Sequence, residues 1–335
     1  AHPLLPNGKA DVNDAPGSAV RLSMPDINDE WPEGDASTRR RIFEEHLYYH
    51  LGLLYFLQND SEVPEAVKTE TRSWGWCKDE FTETGGIPPQ LYVREARRLV
   101  GQHVFTAHDT RTTPRDARAA LHTDSIASAD YIHNCHGTGR LGTRFDGRHE
   151  GQFFEFVQPY QIAYGVIVPK ISENLLVPVA CSASHFGFCA LRLEPVWCSL
   201  GQAAGWAAHL AIKDGVPVQK VDVPALQQRL HADRSATIYV SDVPPESPDF
   251  ASVQWWGTRG GLHGLVDLEK PVNPTLIKGQ YYRAFANHEA GLDQPLTPAL
   301  RARWESLLPN GTPVPRNAAT RGDWMRTAHK TTVRP

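Results

Sequence analysis

The sequence predicts an α/β protein of mixed α+β character followed by a small, mainly helical carboxyl-terminal appendage. Three observations carry that expectation: short β-rich runs between 153 and 180, helical apolar spacing on both sides of them, and a Pro-rich break after Ser241. The 335 residues are 41% hydrophobic and 21% charged, the balance of a chain that folds around a buried core. Such a length suits one large domain with an addition. We read residues 1–240 as the main body and 241–335 as the appendage.

Residues 1–36, rich in Pro, Gly, Asn and Asp, read as an extended lead-in without apolar periodicity. From Ser37 onward Phe43, Leu47, Leu51 and Leu54 recur at helical spacing, with Asp35 or Ser37 available to cap the start. Asn59-Asp60-Ser61 ends this helix, Pro64 suits the first turn of the next, and Gly75 can stop it, giving a helical hairpin. Gly85-Gly86 and Pro88-Pro89 require a turn. Phe153–Val157, Ile162–Val168 and Leu175–Ala180 are the three expected strands, the last a continuous apolar run of the buried kind. A helix then runs from about Glu194 to Lys213, ended by Gly215, with Gly201, Ala204, Gly205 and Ala208 forming a stripe that permits close backbone approach. Asp222 caps a further helix that turns Val223, Leu226 and Leu230 inward, and a last helix is expected near Leu300–Leu308.

Composition excludes several functions. A net charge of -4 gives no basic surface for nucleic acid, and Arg39-Arg40-Arg41 reads as a solvated helix face. No run reaches the roughly 18–20 apolar residues of a membrane-spanning helix, and Ala1–Asp14 lacks a leader's apolar stretch, so a soluble protein without membrane partners is expected. The chain opens on Ala1, which implies a removed leader or a partial sequence. Five cysteines at irregular spacing point to neither a disulfide framework nor a structural metal, and leave the compartment open.

Chemistry concentrates in two places. The run His133-Asn134-Cys135-His136-Gly137-Thr138-Gly139 gathers imidazoles, an amide and a thiol, groups able to move a proton during hydride removal; a structural loop with one histidine on a carbonyl is the alternative. The second is Leu175–His185, an expected strand running into small polar residues before the helix at Glu194. A ligand at that strand's end would meet the helix amino terminus, where free N–H groups favour negative charge; an ordinary strand–loop–helix unit is the alternative. Tyr160 and Tyr164 could line a sugar-sized pocket or pack as a pair, and Trp74, Trp76, Trp197 and Trp206 read as core. There is no Gly-x-Ser-x-Gly elbow for a hydrolase.

Across about residues 1–235, successive blocks resemble one family. They include Leu5-Pro6-Asn7-Gly8-Lys9, Lys78-Asp79-Glu80-Phe81, Gln90-Leu91-Tyr92-Val93-Arg94-Glu95-Ala96-Arg97-Arg98 and Asp124-Ser125-Ile126. Asn174-Leu175-Leu176-Val177-Pro178, Ser182-Ala183-Ser184-His185 and Leu200-Gly201-Gln202-Ala203-Ala204-Gly205 continue the series. The match is to FAD-dependent oxidoreductases, in the group described as xanthan-lyase-like. The resemblance implies part of a glutathione-reductase-type FAD-binding fold with a substrate domain. It places Val179, Ala180, Ser182, Glu194, Pro195 and Gln202 beside FAD. It turns His133, Asn134, Tyr160 and His185 to the substrate side. Together with the residue readings above, this makes His133, His136 and His185 the catalytic candidates and Asn134, Tyr160 and Tyr164 the substrate-binding ones, with no metal expected.

Members of that family open with a strand, a Gly-x-Gly-x-x-Gly turn and a helix, and this sequence does not open on such a unit. The implied activity is hydride transfer from a small polar, carbohydrate-derived substrate to FAD, the missing unit coming from the rest of a longer chain or from a partner chain. Alone, with an open sheet edge, the chain is expected to be poorly stable or homo-oligomeric. A flavin-free carbohydrate lyase or hydrolase and a non-catalytic binding or scaffold protein are the alternatives.

Overall fold

The computed structural model describes residues 5, 7–10, 22–24, 26–136, 151–269 and 285–333. It divides into two compact units, one of Ala1–Ala96 with His136–Gln152 and one of Arg97–Cys135 with Phe153–Pro335. Much of the 1–36 lead-in, and Gly137-Thr138-Gly139, lie outside the described residues. No described helix is long and apolar enough to cross a membrane.

The first unit is built on a helical hairpin. Helix α1 spans Ala36–Asn59, and of the two candidate caps it is Asp35 that accepts the Thr38 N–H at 2.8 Å. Its buried positions are Ile42 and His46, one residue off the expected Phe43–Leu54 stripe, and Leu51 is exposed. Arg39, Arg40 and Arg41 do lie on a solvated face, Arg41 pairing with Glu45 at 3.0 Å. Helix α2, Glu65–Arg72, follows Pro64 but stops at Ser73 in a right-handed conformation, so Gly75 is not its terminator. The glycine-rich turn forms as expected, with Phe81, Gly85 and Gly86 all at positive φ.

The second unit carries two small antiparallel sheets. Strand β1, Ser125–Ala129, pairs with β4, Tyr160–Ala163; β2, His133–Cys135, pairs with β3, Phe153–Glu155. The expected strands are therefore shortened and shifted: 153–157 ends at Glu155, and 162–168 starts at Tyr160 and tightens into a 3₁₀ turn at Tyr164–Val166. Leu175–Ala180 is not a strand. Pro178 offers no N–H, Asn174 turns the chain at φ 54°, and Leu175 and Val179 are 46% and 48% exposed, incompatible with a buried central strand. Instead the Val177 N–H reaches the Ile167 carbonyl and the Ala180 carbonyl accepts from Leu99, an irregular lacing that only apolar content made strand-like.

Helices follow the sequence more closely. Helix α3 is a single turn, Ala107–Thr110, and α4 spans His185–Leu191. Helix α5, Glu194–Asp214, ends at Gly215 with φ 65°, and α6, Val223–Ala232, is capped by Asp222 with Leu226 and Leu230 buried. The packed face of α5 is Val196, Leu200, Ala203, Ala207, Leu210 and Ala211. The glycine stripe is not the packed one, since a Cβ at Gly201 or Gly205 would meet no atom within 4 Å.

The last three helices, α7 (Phe250–Gly257), α8 (Pro298–Glu305) and α9 (Arg321–Thr332), give the expected mainly helical tail. Trp256, Trp304 and Trp324 meet at its centre, with ring centroids 5.4 to 6.2 Å apart. Gly261 lies against the Trp256 indole, where a Cβ would come within 2.1 Å of Nε1. Arg118, 4% exposed, donates from Nε to Leu262 O at 3.2 Å and from its terminal nitrogens to Tyr239 O at 2.7 Å and His288 O at 3.0 Å. Burial lowers its pKa to about 10, so it remains charged at neutral pH.

Arg118→Met removes the donors from three carbonyls at once. It should cost about 3–5 kcal/mol, read as a fall in the urea midpoint without loss of two-state slope. Acid is a second expected stress. His231, with Nε2 2.7 Å from Thr237 Oγ1, and His288 are pushed down by burial to about 3 and about 4 from an ordinary 6.5. Between those values the unfolded chain takes up protons that the folded chain refuses, so stability is full above about pH 6.5 and falls below it. The loss should approach ~2 kcal/mol per histidine near pH 5, measurable as urea midpoints across that interval.

Candidate functional site

The site expected from sequence begins where residues 180–185 are fixed between two neighbours. The Ser182 N–H donates to Val166 O at 2.8 Å, while Ser182 O and the Ser184 N–H engage Phe105 at 3.0 and 2.9 Å. Ser184 then caps α4 by accepting the Gly187 N–H at 3.0 Å. Gly187 is obligatory, because a Cβ there would fall 2.3 Å from Phe105 O. His185 is consequently presented at the first position of α4, on an exposed surface.

Strand β2 packs on α4. His133 is fully buried, its Nδ1 2.8 Å from Phe186 O and its Nε2 2.8 Å from Thr110 Oγ1. A carbonyl can only accept, so Nδ1 carries the proton and Nε2 accepts from the Thr110 hydroxyl. Burial also pushes its pKa down, which favours this neutral tautomer. Its ring lies 4.3 Å from Phe186, so His133 links strand to helix with both nitrogens occupied. Cys135 Sγ sits 3.9 Å from His185 Nε2, and Cys189, one turn along α4, brings its sulfur within 4.8 Å of both. Phe153 stands edge-on to the His185 ring at 5.8 Å. Asn134 donates to the Tyr131 hydroxyl at 3.0 Å, and its carbonyl accepts from Arg192 at 3.0 Å.

The two tyrosines are struts. Tyr160 OH lies 3.0 Å from Ala190 O, and complete burial raises its pKa well above the usual phenol value. Tyr164 OH donates to Val218 O at 2.8 Å, and burial pushes it up to about 12.

The residues assigned to cofactor contact are distributed along 179–202. Val179, Glu194, Pro195 and Gln202 are exposed and Ala180 is half-buried. Ser182 is fully buried with a hydroxyl that has no hydrogen-bond partner among the described residues. The first turn of α5 has no side-chain cap, and Glu194 and Pro195 stand at the surface, not at the tip of a strand. Gln202 is tied to the segment after α6, accepting from Ser235 at 2.7 Å. These features fit a flavin to this extent: an uncapped helix start suits negative charge, an orphaned buried hydroxyl suits a polar group, and two glycines leave a smooth helix surface.

Structure thus gathers His133, Asn134 and His185 around β2 and α4, and leaves His136 in the first unit. Sequence reading missed Cys189, whose i, i+4 spacing from His185 was the available signal. It also missed Asp109 between His103 and His122. There the readable trace is the capping box Thr106–Asp109.

A family model described as FAD dependent oxidoreductase matches residues 2–230, taking in β2, α4 and residues 179–202. Searches of curated proteins and of solved structures return no match.

Thr110→Val keeps the shape of the side chain but leaves the buried His133 Nε2 without a donor. A loss of about 1–3 kcal/mol in urea denaturation is expected; an unchanged midpoint would contradict the hydrogen bond.

Proposed function

This chain belongs to the FAD dependent oxidoreductase family, and on that premise we propose that residues 179–202 form the cofactor-facing wall of a redox site acting on a small polar alcohol or amine. The family match over residues 2–230 is the observation that carries this reading. FAD, when bound, supplies a two-electron acceptor for hydride.

Each part of the wall has a chemical task. The uncapped Glu194 N–H and the positive end of the α5 dipole favour negative charge, Pro195 beside it offers an apolar ring, the Ser182 hydroxyl offers an unpaired donor, and Gly201 with Gly205 allows flat contact. Val179, Ala180 and Gln202 complete the contact surface. His185, exposed beside Cys135, is the imidazole placed to take the substrate's hydroxyl or ammonium proton. His133 and Tyr160, with their polar atoms on protein partners, position β2, β4 and α4 around it. Asn134 and Tyr164 likewise serve by holding the main chain, and His136 belongs to the other compact unit. A Gly-x-Gly-x-x-Gly run does occur at Gly137–Gly142 but lies outside the described residues, so this reading takes the complete strand, glycine turn and helix that grip a dinucleotide from a further segment or a partner chain.

The flavin-free lyase or hydrolase alternative calls for convergent carboxylates or a Tyr–His pair in a cleft. Burial of the Tyr160 and Tyr164 hydroxyls on main-chain carbonyls weighs against it.

The purified chain, mixed with FAD alone and together with a dinucleotide-binding segment, should develop a bound visible flavin spectrum. With sugar-derived alcohols as the first substrates, His185→Asn should lower turnover by about 100-fold or more and leave that spectrum in place. No bound flavin under either condition would refute the reading.

A further inference from the structure

A separate cluster of ligand-type side chains lies on the 97–124 stretch. Asp109, 5% exposed, occupies the third position of α3, where its Oδ2 accepts the Thr106 N–H at 2.6 Å and the Thr106 hydroxyl at 3.1 Å. Those two bonds fix the carboxylate plane and leave Oδ1 directed elsewhere. His103 Nε2 lies 2.7 Å from Oδ1 and His122 Nε2 lies 2.9 Å from it, the rings meeting edge to face at 5.1 Å.

The supporting backbone is rigid. The His103 N–H donates to Gly165 O at 3.1 Å, and Gly165 has no room for a Cβ, which would stand 2.9 Å from His103. His122 is clamped through its main chain by the buried Gln161 amide, at 3.2 Å on both the N–H and the carbonyl. Such outer contacts are what orient metal-binding imidazoles and carboxylates.

One detail separates this cluster from a plain hydrogen-bonded trio. His103 makes an aligned bond to Asp109, but the buried His122 Nε2, despite its short separation, has no hydrogen bond of acceptable direction. The ligand atoms of His103, Asp109 and His122 all lie within 4.8 Å of one another. Two imidazoles and one carboxylate suit a first-row transition ion, whereas magnesium and calcium take oxygen donors. For bonds of about 2.0–2.2 Å, tetrahedral ligand atoms stand roughly 3.3 Å apart. The present triangle has edges of 2.7 and 2.9 Å and a third no longer than 4.8 Å. The two short edges must therefore open by about 0.4 to 0.6 Å to admit an ion. The His103 side chain is 35% exposed, leaving one side open.

We propose that His103 Nε2, His122 Nε2 and Asp109 Oδ1 bind one divalent transition-metal ion, with further coordination positions open to water or a small oxygen ligand. The linear spacing of 6 and 13 residues matches no familiar metal motif.

The test uses the full chain, stripped with chelator and titrated separately with Co²⁺ and Zn²⁺. One ion per chain is expected, with cobalt d–d absorption and no thiolate-to-cobalt band. His103→Gln and His122→Gln should each weaken binding by about 100-fold, with circular dichroism unchanged, while Cys135→Ser binds like the parent. The proposal falls if the folded parent binds neither ion stoichiometrically, if both glutamine variants bind normally, or if Cys135→Ser abolishes binding. Should the glutamine variants fail to fold, X-ray absorption on the cobalt-loaded parent decides: a nitrogen and oxygen shell supports the site, and sulfur at the metal overturns it.

Discussion

The buried cation of Arg118 organises the larger unit. The Arg118 guanidinium is withdrawn from water and donates to the carbonyls of Tyr239, Leu262 and His288, three stretches far apart in sequence. A charge so placed must be fully partnered, so those stretches cannot shift independently. Asp116 reinforces the arrangement by accepting from the Arg118 and Gly264 N–H groups. Around this point runs a seam of buried amides. Gln254 Oε1 accepts from the Thr237 and Ile238 N–H groups, and Gln161 and Ser125 both reach Thr237 O. The seam lies between two apolar clusters, one on Ile126, Ile162 and Leu200 and one on the three tryptophans. Polar satisfaction therefore sets the register between them, while apolar burial supplies the bulk of the stabilisation.

How far the sequence could be read depended on whether a feature is decided locally. Caps and terminators are local, which is why Asp35, Asp222 and Gly215 sit where their chemistry placed them. Gly75 shows the limit, since Ser73 already ends its helix. Strands are decided by partners, so Leu175–Ala180 passed for a strand on apolar content although Pro178 and half-exposed Val179 prevent it. The same split governs the site. His185 was readable from its place after Ser182-Ala183-Ser184, whereas its nearness to Cys135 arises only when α4 packs on β2. The small-residue stripe on α5 was visible, but which face it occupied was fixed by Leu200 and Ala203 turning inward.

His133 and His185 illustrate how burial sorts identical side chains. One imidazole is enclosed, neutral and bonded on both sides; the other stands at the mouth of a helix with a thiol beside it. A run of histidines in a sequence cannot distinguish the two. Membership of a flavin-using family fixes the class of chemistry, and accessibility then selects which imidazole can meet a substrate.

The uncovered glycines of α5 have a thermodynamic side. Gly201 and Gly205 leave helix backbone facing water, and each weakens a helix interior by roughly 0.5–1 kcal/mol relative to alanine. Hydration competes with the internal amide bonds along that strip, so amide hydrogen exchange there will outpace that of the Leu200–Leu210 side of the same helix. One helix thus presents a firm inner edge and a softer outer one.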